Sequence, residues 1–269
     1  MAQPNRTVML SVGIGNYLSP RVPDLDLPPA DATAMAQALL TLGSGETLLR
    51  VLLDEQATKA RIQAGLAWLA DNVGPDDLAV FYYSGHGARY EDQDSDELDA
   101  YDEFLCPHDT GMGGGVSTFI RDDEMREWLA AVTAKTKQVA VLFDSCHSGD
   151  AVRLGEATPR ELPRDVVQSM LSGYKRPPKA AGLTPGEAPL EGHMLLAAAE
   201  EQQSSFEIRG MENGLFTTYL LEGLADPSLT TFEGLFQYAQ NKVGVDAAKY
   251  QILQTPHLIP RVEGDLAYR

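Results

Sequence analysis

The sequence predicts an α/β protein, built on an open, mostly parallel β-sheet with helices on both faces. Four short apolar runs, at residues 8–13, 48–53, 78–83 and 139–143, have the length and composition of strands. Each run is continuous instead of alternating with polar residues, which is typical of strands that are covered on both faces. Helical patterns fall between the runs, and such an alternation of strand and helix favours a parallel sheet.

Three amphipathic helical patterns support this order in the first half of the chain. In each of them apolar residues recur every three or four positions, which places them on one face of a helix. The three patterns cover residues 31–40, 62–73 and 125–132. Each of them is long enough to cover part of one sheet face.

Residues 150–192 interrupt the regular order. This segment holds six of the sixteen prolines and no periodic pattern, so it is interpreted as an exposed linker or long loop. Periodicity returns with an apolar run at 194–199 and helical patterns at 214–224 and 232–239. We therefore predict a single domain, which comprises a larger part (1–149), the linker (150–192) and a smaller part (193–269) that completes the sheet.

Composition narrows the classes of partner. The 269 residues, 43% of them hydrophobic, suffice for one sizeable core. Thirty-nine acidic against 21 basic residues give a net charge of −18, which argues against binding to nucleic acid or to anionic membranes. With two cysteines and no apolar run of about 20 residues, we expect reduced thiols and a cytoplasmic, monomeric protein.

Reactive side chains follow the third and fourth apolar runs at the same relative position. His86 follows one run within the sequence SGHG, and Cys146 follows the other within DSCHSG. Because the carboxyl ends of neighbouring parallel strands meet at one edge of a sheet, we expect the two side chains to lie close together. An imidazole can take the proton of a thiol, and the thiolate is the nucleophile. A lone cysteine is more often a small buried hydrophobe, but the coincidence of the two groups favours a catalytic pair.

The two motifs resemble the signatures of the metacaspase and orthocaspase family of caspase-like cysteine peptidases. Residues 203–207 (QSSFE), 214–217 (GLFT) and 254–256 (QTP) are similar to further parts of the family's domain. True caspases carry Gln-Ala-Cys around the nucleophile, and this sequence does not, so the bacterial metacaspase branch fits better. The resemblance implies a caspase-like fold over nearly the whole chain.

The resemblance also implies roles for individual residues. Cys146 would be the nucleophile that forms a thioester acyl-enzyme, and His86 would be the general base and acid. The backbone N–H groups of Gly87 and Cys146 would form the oxyanion hole. His147 is a rival base, but in an extended chain its side chain points away from that of its neighbour Cys146.

Three polar residues would line the pocket for the side chain that precedes the cut. By the same resemblance these are Asp31, Ser84 and Asp144. Carboxylates in such a pocket select a basic side chain and repel an aspartate, so cleavage after Arg or Lys is expected. The alternative for Asp31 is a helix N-cap, and the two roles are compatible.

An acidic run at residues 91–103 raises the question of a metal. It contains eight carboxylates and no basic residue, but its spacing lacks the glycine of an EF-hand. The family resemblance implies instead a calcium site at Asp102, Asp122 and Asp123, whose fourth ligand position is occupied here by Arg153. Alternatively, Asp122 and Asp123 cap a helix, and the acidic run is a solvated loop. No cofactor is expected for the chemistry itself.

The linker carries candidate sites for self-processing. Its basic residues are Arg153, Arg160, Arg164, Lys175, Arg176 and Lys179. An enzyme that cuts after basic residues could cut its own chain in this proline-rich segment. The alternative to a peptidase is a non-proteolytic module of the same fold that binds basic peptides.

Overall fold

A computed structural model describes most of the chain, namely residues 3–42, 45–91, 101–112, 115–145, 155–172, 174, 192–200 and 202–269; at 91, 101 and 102 it describes the backbone alone. The strands are β1 (Thr7–Gly13), β2 (Thr47–Leu53), β3 (Leu78–Ser84), β4 (Gly87–Glu91), β5 (Tyr101–Leu105), β6 (Ile120–Arg121), β7 (Val139–Asp144), β8 (Ala157–Pro159), β9 (Met194–Ala197), β10 (Phe206–Ile208) and β11 (His257–Ile259). The helices are α1 (Pro28–Leu42), α2 (Lys59–Asn72), α3 (Asp122–Thr133), α4 (Arg164–Met170), α5 (Leu215–Ala225) and α6 (Phe232–Tyr250).

The main sheet has the strand order β11-β9-β7-β3-β1-β2 within the described residues. All neighbouring strands pair in parallel except β11, which runs antiparallel to β9 at one edge. The four strands predicted from apolar runs are β1, β2, β3 and β7. The prediction of an open, mostly parallel sheet is therefore confirmed, and the smaller part of the chain completes it as expected.

Helices cover both faces of this sheet. Alternate side chains of β3 enter different cores: Phe81 belongs to the same core as Ile62 of α2, and Val80 belongs to the same core as Met35 of α1. The first core also includes residues of α3, and the second includes residues of α5 and α6. Two-sided burial explains why the strands read as continuous apolar runs, because both faces of each strand lose contact with water.

Capping interactions fix where two of the helices begin. The hydroxyl of Thr58 accepts a hydrogen bond from the backbone N–H of Arg61 at the start of α2, and Thr231 accepts one from Gly234 at the start of α6. Such N-caps each contribute about 1 kcal/mol. In the described part of the chain, no helix is both long and apolar enough to cross a membrane.

The carboxyl ends of β3 and β7 meet at one edge of the sheet, where the register pairs Ser84 with Asp144. His86 and Cys146 each follow two residues after this pair in the sequence. The prediction that the two strands are neighbours is thus confirmed. Cys146 itself lies outside the described residues.

The prediction of an exposed linker or long loop at 150–192 is wrong for residues 155–172. This part contains the strand β8 and the helix α4, and Arg160, Glu161 and Leu162 are buried. The error arose because β8 is only three residues long and pairs with β10, which is distant in sequence. Neither feature leaves a periodic pattern in the sequence.

Candidate active site

Two tyrosines form hydrogen bonds with the backbone of His86. Its N–H donates to the hydroxyl of Tyr17 (2.8 Å), and its carbonyl accepts from the hydroxyl of Tyr83 (2.8 Å). The ring of Tyr17 lies beside the imidazole, with 5.1 Å between ring centroids. These contacts fix the position of a side chain that stands in a turn beyond the end of β3, where the backbone alone would leave it more freedom.

The imidazole of His86 has a defined tautomer. Its Nε2 lies 2.8 Å from the backbone carbonyl oxygen of Pro23. A carbonyl oxygen can only accept a hydrogen bond, so Nε2 carries the proton and Nδ1 is left with a free lone pair. Nδ1 is buried and has no hydrogen-bond partner among the described residues. This nitrogen is therefore positioned to accept a proton.

Burial lowers the pKa of His86 to about 4, against the opposing effect of the carbonyl groups of Pro23 and Arg160. The imidazole is thus neutral at neutral pH in this state. A neutral imidazole is the form that acts as a general base.

Asp31 and Asp144 lie within one buried pocket beneath this edge of the sheet. Both carboxylates are fully buried, and each accepts hydrogen bonds from fixed donors. Asp31 accepts from the hydroxyl of Ser84 (2.9 Å) and from the N–H of Gly214 (2.9 Å). Asp144 accepts from the hydroxyls of Ser205 (2.5 Å) and Thr217 (2.6 Å). These hydrogen bonds hold both carboxylates in fixed positions.

The guanidinium of Arg160 fills this pocket. Its Nη2 lies 2.6 Å from Oδ2 of Asp31, and its Nη1 lies 3.0 Å from Oδ2 of Asp144 and 2.8 Å from the hydroxyl of Ser84. Glu207 adds a third carboxylate at 3.4 Å from Nη2. The structure therefore brings together the three residues that the sequence predicted for the pocket, and places a basic side chain between them.

Burial and neighbouring charges shift the pKa values of this cluster. Burial by itself lowers the pKa of Arg160, but the carboxylates of Asp144, Asp31 and Glu207 outweigh it and hold that pKa well above the usual value. Burial and the neighbouring Asp144 raise the pKa of Asp31, although Arg160 acts in the opposite direction. The cluster thus holds three carboxylates and one guanidinium, all of them buried.

The backbone of Arg160 reaches the predicted oxyanion hole. Its carbonyl oxygen accepts a hydrogen bond from the N–H of Gly87 (3.1 Å), directly after His86. The other predicted donor, the N–H of Cys146, belongs to a residue outside the described part of the chain. One of the two predicted oxyanion-hole donors, the N–H of Gly87, therefore donates to a peptide carbonyl oxygen.

The residues predicted for calcium lie elsewhere. Asp122 and Asp123 form the first turn of α3 and pair with Arg126 at 3.6 and 3.1 Å. Asp102 is in β5, which pairs antiparallel with β6 immediately before α3. The side chain of Asp102 is not described, and Arg153 also lies outside the described residues. Oxygen ligands suit calcium, but the two described carboxylates already bind a cation and supply fewer oxygens than the six to eight that calcium takes.

Several residues at this site were not predicted for it from sequence. Tyr17 and Pro23 precede α1 and carry no local signal of their contact with His86. Glu207 was recognised only within the QSSFE motif, and Arg160 only as one of six basic linker residues. Asp31 is not a helix N-cap. It lies inside the first turn of α1, and its carboxylate binds groups from other elements.

The architecture and the site together define an α/β protein of the caspase fold. The chain is similar to protein GSU0716 from Geobacter sulfurreducens, with a TM-score of 0.68 and 22% identity over 94% of this chain and 92% of the other. It is also similar to caspase-1 from Spodoptera frugiperda, with a TM-score of 0.63 and 14% identity over 99% and 90% of the two chains. At these identities the likeness shows the fold.

Sequence comparison identifies the family within this fold. The family described as "Metacaspase, peptidase C14 domain" matches residues 10–155. Metacaspase-1 from Pyricularia oryzae is 39% identical over 99 residues, and metacaspase-1A from Aspergillus terreus is 40% identical over 99 residues. These stretches are 37% of this chain and 24% of each relative, so the matched region spans about a quarter of the length of these curated relatives. The chain belongs to the metacaspase family of cysteine peptidases.

Proposed function

We propose that this protein is a cysteine endopeptidase that cuts polypeptides after Arg or Lys. The observation that carries the proposal is the guanidinium of Arg160, which lies between Asp31 and Asp144 while its own carbonyl accepts from Gly87. A substrate arginine in this pose would present its carbonyl beside His86. Lysine would bind with its single ammonium group in the same acidic pocket, and aspartate would be repelled.

His86 and Cys146 are the proposed catalytic pair. Nδ1 of His86 takes the proton of the Cys146 thiol, and the thiolate attacks the carbonyl carbon of the basic residue. The C–N bond then breaks, the amine leaves with the proton from His86, and a thioester remains. Water, deprotonated by the same imidazole, hydrolyses the thioester and restores the thiol.

The environment of His86 supports this role. The carbonyl of Pro23 keeps the proton on Nε2, so the nitrogen with the free lone pair is Nδ1. The N–H of Gly87 already binds a carbonyl oxygen and would bind the oxyanion that develops from it, which is a large contribution to acyl-transfer catalysis. The chemistry requires no cofactor.

Two further parts of the proposal concern the wider chain. We propose that the enzyme processes itself within residues 150–192, which carry basic residues beside prolines. A regulatory calcium ion at Asp102, Asp122 and Asp123 remains a prediction, and no step of the reaction depends on it.

Fluorogenic peptides with Arg, Lys or Asp before the reporter group test the proposal. We expect hydrolysis of the first two and none of the third, and we expect Cys146→Ala to abolish all of it. Failure to hydrolyse any peptide, while an Arg-terminated peptide still binds, would instead favour the non-proteolytic module of the same fold.

A further inference from the structure

The loop that follows β1, residues 14–25, carries two of the groups that hold His86. We call it the β1 loop. The hydroxyl of Tyr17 accepts from the backbone N–H of the histidine (2.8 Å), and the carbonyl oxygen of Pro23 lies 2.8 Å from its Nε2. Within the loop, the N–H of Tyr17 donates to the carboxylate of Asp24 (2.9 Å), next to Pro23. The two supports are thus linked to each other, and the position of the imidazole depends on where the β1 loop lies.

Tyr17 also belongs to a closed group of hydrogen bonds around His86. The hydroxyl of Tyr83 donates to the carbonyl of His86 (2.8 Å). Burial raises the pKa of Tyr83 well above its usual value, and the contact with Tyr17, which includes a side-chain hydrogen bond, adds to this rise. A Cβ at Gly85 would lie 3.0 Å from the hydroxyl of Tyr83 and 3.1 Å from that of Tyr17, so this glycine leaves room for both. The backbone of the histidine is therefore held from both sides by one connected set of bonds.

Asp54, directly after β2, holds the base of the β1 loop. One oxygen of its carboxylate, Oδ1, accepts from the N–H groups of Gly15 and Asn16, both at 2.9 Å. The carbonyl of Gly15 accepts in turn from the N–H of Leu25 (2.8 Å), which closes the loop. The carboxylate consequently binds the point at which the loop begins and ends.

The backbone of Asp54 adopts a conformation that favours glycine. Its φ is +44°, and within the described part of the chain it is one of two residues other than glycine with a positive φ. A side chain makes this conformation costly, although aspartate tolerates it better than most residues. A strained residue that nevertheless carries a carboxylate indicates that the side chain has a function at this position.

The acidic pocket has an anchor of its own. The two carboxylate oxygens of Glu207 accept from the N–H groups of Asp26 (3.0 Å) and Leu27 (2.9 Å), which lie between the β1 loop and α1. Asp31, in the first turn of α1, is thus held separately from the loop. A change at Asp54 should therefore affect the base more than the binding of the substrate side chain.

We propose that Asp54 is a positioning residue for the general base His86, on which it acts through the β1 loop. Its carboxylate holds the loop in the place where Tyr17 fixes the backbone of the histidine and Pro23 keeps the proton on Nε2. This inference rests on the proposed function, in which Nδ1 of His86 takes the proton of the nucleophile. A displacement of about 1 Å from the productive geometry can slow a reaction roughly 100-fold, so a support of this kind matters to the rate.

Two substitutions separate the carboxylate of Asp54 from its backbone. In Asp54→Gly the positive φ is relaxed but no oxygen is left to bind the loop, whereas the amide oxygen in Asp54→Asn can still accept from both N–H groups. For hydrolysis of an Arg peptide, we expect Asp54→Gly to lower kcat roughly tenfold, with KM within about twofold of the parent. Asp54→Asn should keep kcat within about twofold.

The matched control is Asp265→Gly. Oδ1 of Asp265 also accepts from two backbone N–H groups, those of Glu233 (3.1 Å) and Leu266 (2.7 Å). Helix α5 begins at the pocket and α6 begins beyond its far end, so this aspartate is remote from the base. Asp265→Gly should lower the melting temperature but keep kcat within about twofold. An equal loss of kcat in the two glycine variants would trace the effect to stability and overturn the inference.

A second measurement does not depend on hydrolysis. In the inactive Cys146→Ala chain with ¹⁵N-labelled histidine, we expect an NMR resonance from the proton on Nε2 of His86, assigned by its absence from Cys146→Ala/His86→Asn. The resonance should persist in Cys146→Ala/Asp54→Asn. It should be lost in Cys146→Ala/Asp54→Gly, because a displaced loop lets this proton exchange with water. Persistence of the resonance in the glycine variant would contradict the proposed role.

The two measurements separate this inference from the proposed function. Absence of hydrolysis in the parent chain, with the resonance behaving as expected, would overturn the proposed function and leave the positioning of the imidazole by Asp54 standing. Equal kcat in the parent and in Asp54→Gly would overturn the inference and leave the proposed function standing.

Discussion

Two groups of aspartates in this molecule differ in what surrounds them. Asp31 and Asp144 are fully buried and bind Arg160 and several fixed hydrogen-bond donors. Asp122 and Asp123 stand at the start of α3 with 39% and 31% of their side chains exposed, and they share a half-exposed Arg126. Both groups pair two aspartates with one arginine, although Glu207 adds a third carboxylate to the buried group, and the main difference between them is burial.

Burial determines how strongly each pair of aspartates can discriminate between the side chains that bind to it. In water an ion pair is worth at most about 1 kcal/mol, because solvent competes for both charges. In the buried pocket the loss of one partner leaves an uncompensated charge, at a cost of about 3–5 kcal/mol. The buried group can therefore discriminate between side chains, while the exposed group mainly stabilises the beginning of a helix.

The largest effect is expected from Asp31→Asn. This change removes one charge that pairs with the guanidinium, and we expect kcat/KM for an Arg peptide to fall roughly 100-fold or more. The matched control is Asp122→Asn, which should leave kcat/KM within about twofold. Similar losses in both variants would contradict the contrast between buried and exposed carboxylates.

Burial of His86 predicts a pH dependence of stability. Its pKa is about 4 in the folded state and about 6.5 when unfolded, so the unfolded chain binds more protons between these values. Stability is therefore greatest above pH 6.5 and falls as the pH drops towards 4, by about 3 kcal/mol from this group. The measurement is the free energy of unfolding in urea, in the Cys146→Ala background, where no thiolate contributes.

The control for this prediction is Cys146→Ala/His86→Asn, which should lose that part of the slope between pH 6.5 and 4. Parallel pH profiles for the two chains would show that the imidazole is solvated and not buried as described.

Gly214→Ala tests the shape of the pocket rather than its charge. The backbone of Gly214 has an ordinary negative φ of −54°, but the new methyl group would overlap the guanidinium. We expect KM for Arg peptides to rise roughly tenfold, from the cost of overpacking of about 1–3 kcal/mol. Gly244→Ala is the control, because a Cβ there meets open space in α6 and should if anything stabilise the helix.

The smallest effect concerns Asp123 and calcium. Without calcium, Asp123→Asn should change the free energy of unfolding by less than about 1 kcal/mol, because the ion pair between Asp123 and Arg126 is exposed to solvent. If the predicted ion binds there, calcium should raise the melting temperature of the parent chain and not that of the variant. An equal rise in both chains would place any calcium site elsewhere.

The fold was largely predictable from local patterns. The strands β1, β2, β3 and β7 were predicted within one residue at each end, because strands buried on both faces leave continuous apolar runs. Equal offsets of His86 and Cys146 from two such strands predicted one shared edge, which the register of Ser84 with Asp144 confirms. The short strand β8 was missed, since three residues paired to a distant strand carry no periodic signal.

The sequence by itself was enough to predict the reactive residues, His86 and Cys146, and the acidic residues near the strand ends. It did not determine which basic residue meets them, because Arg160 is 129 residues away from Asp31 and is one of six candidates in its segment. Only the tertiary structure decided this, along with the contacts of Tyr17 and Pro23 to His86. The physical reason is that charge pairing and strand pairing join residues that are far apart in the sequence. Such contacts produce no local pattern from which they could be predicted.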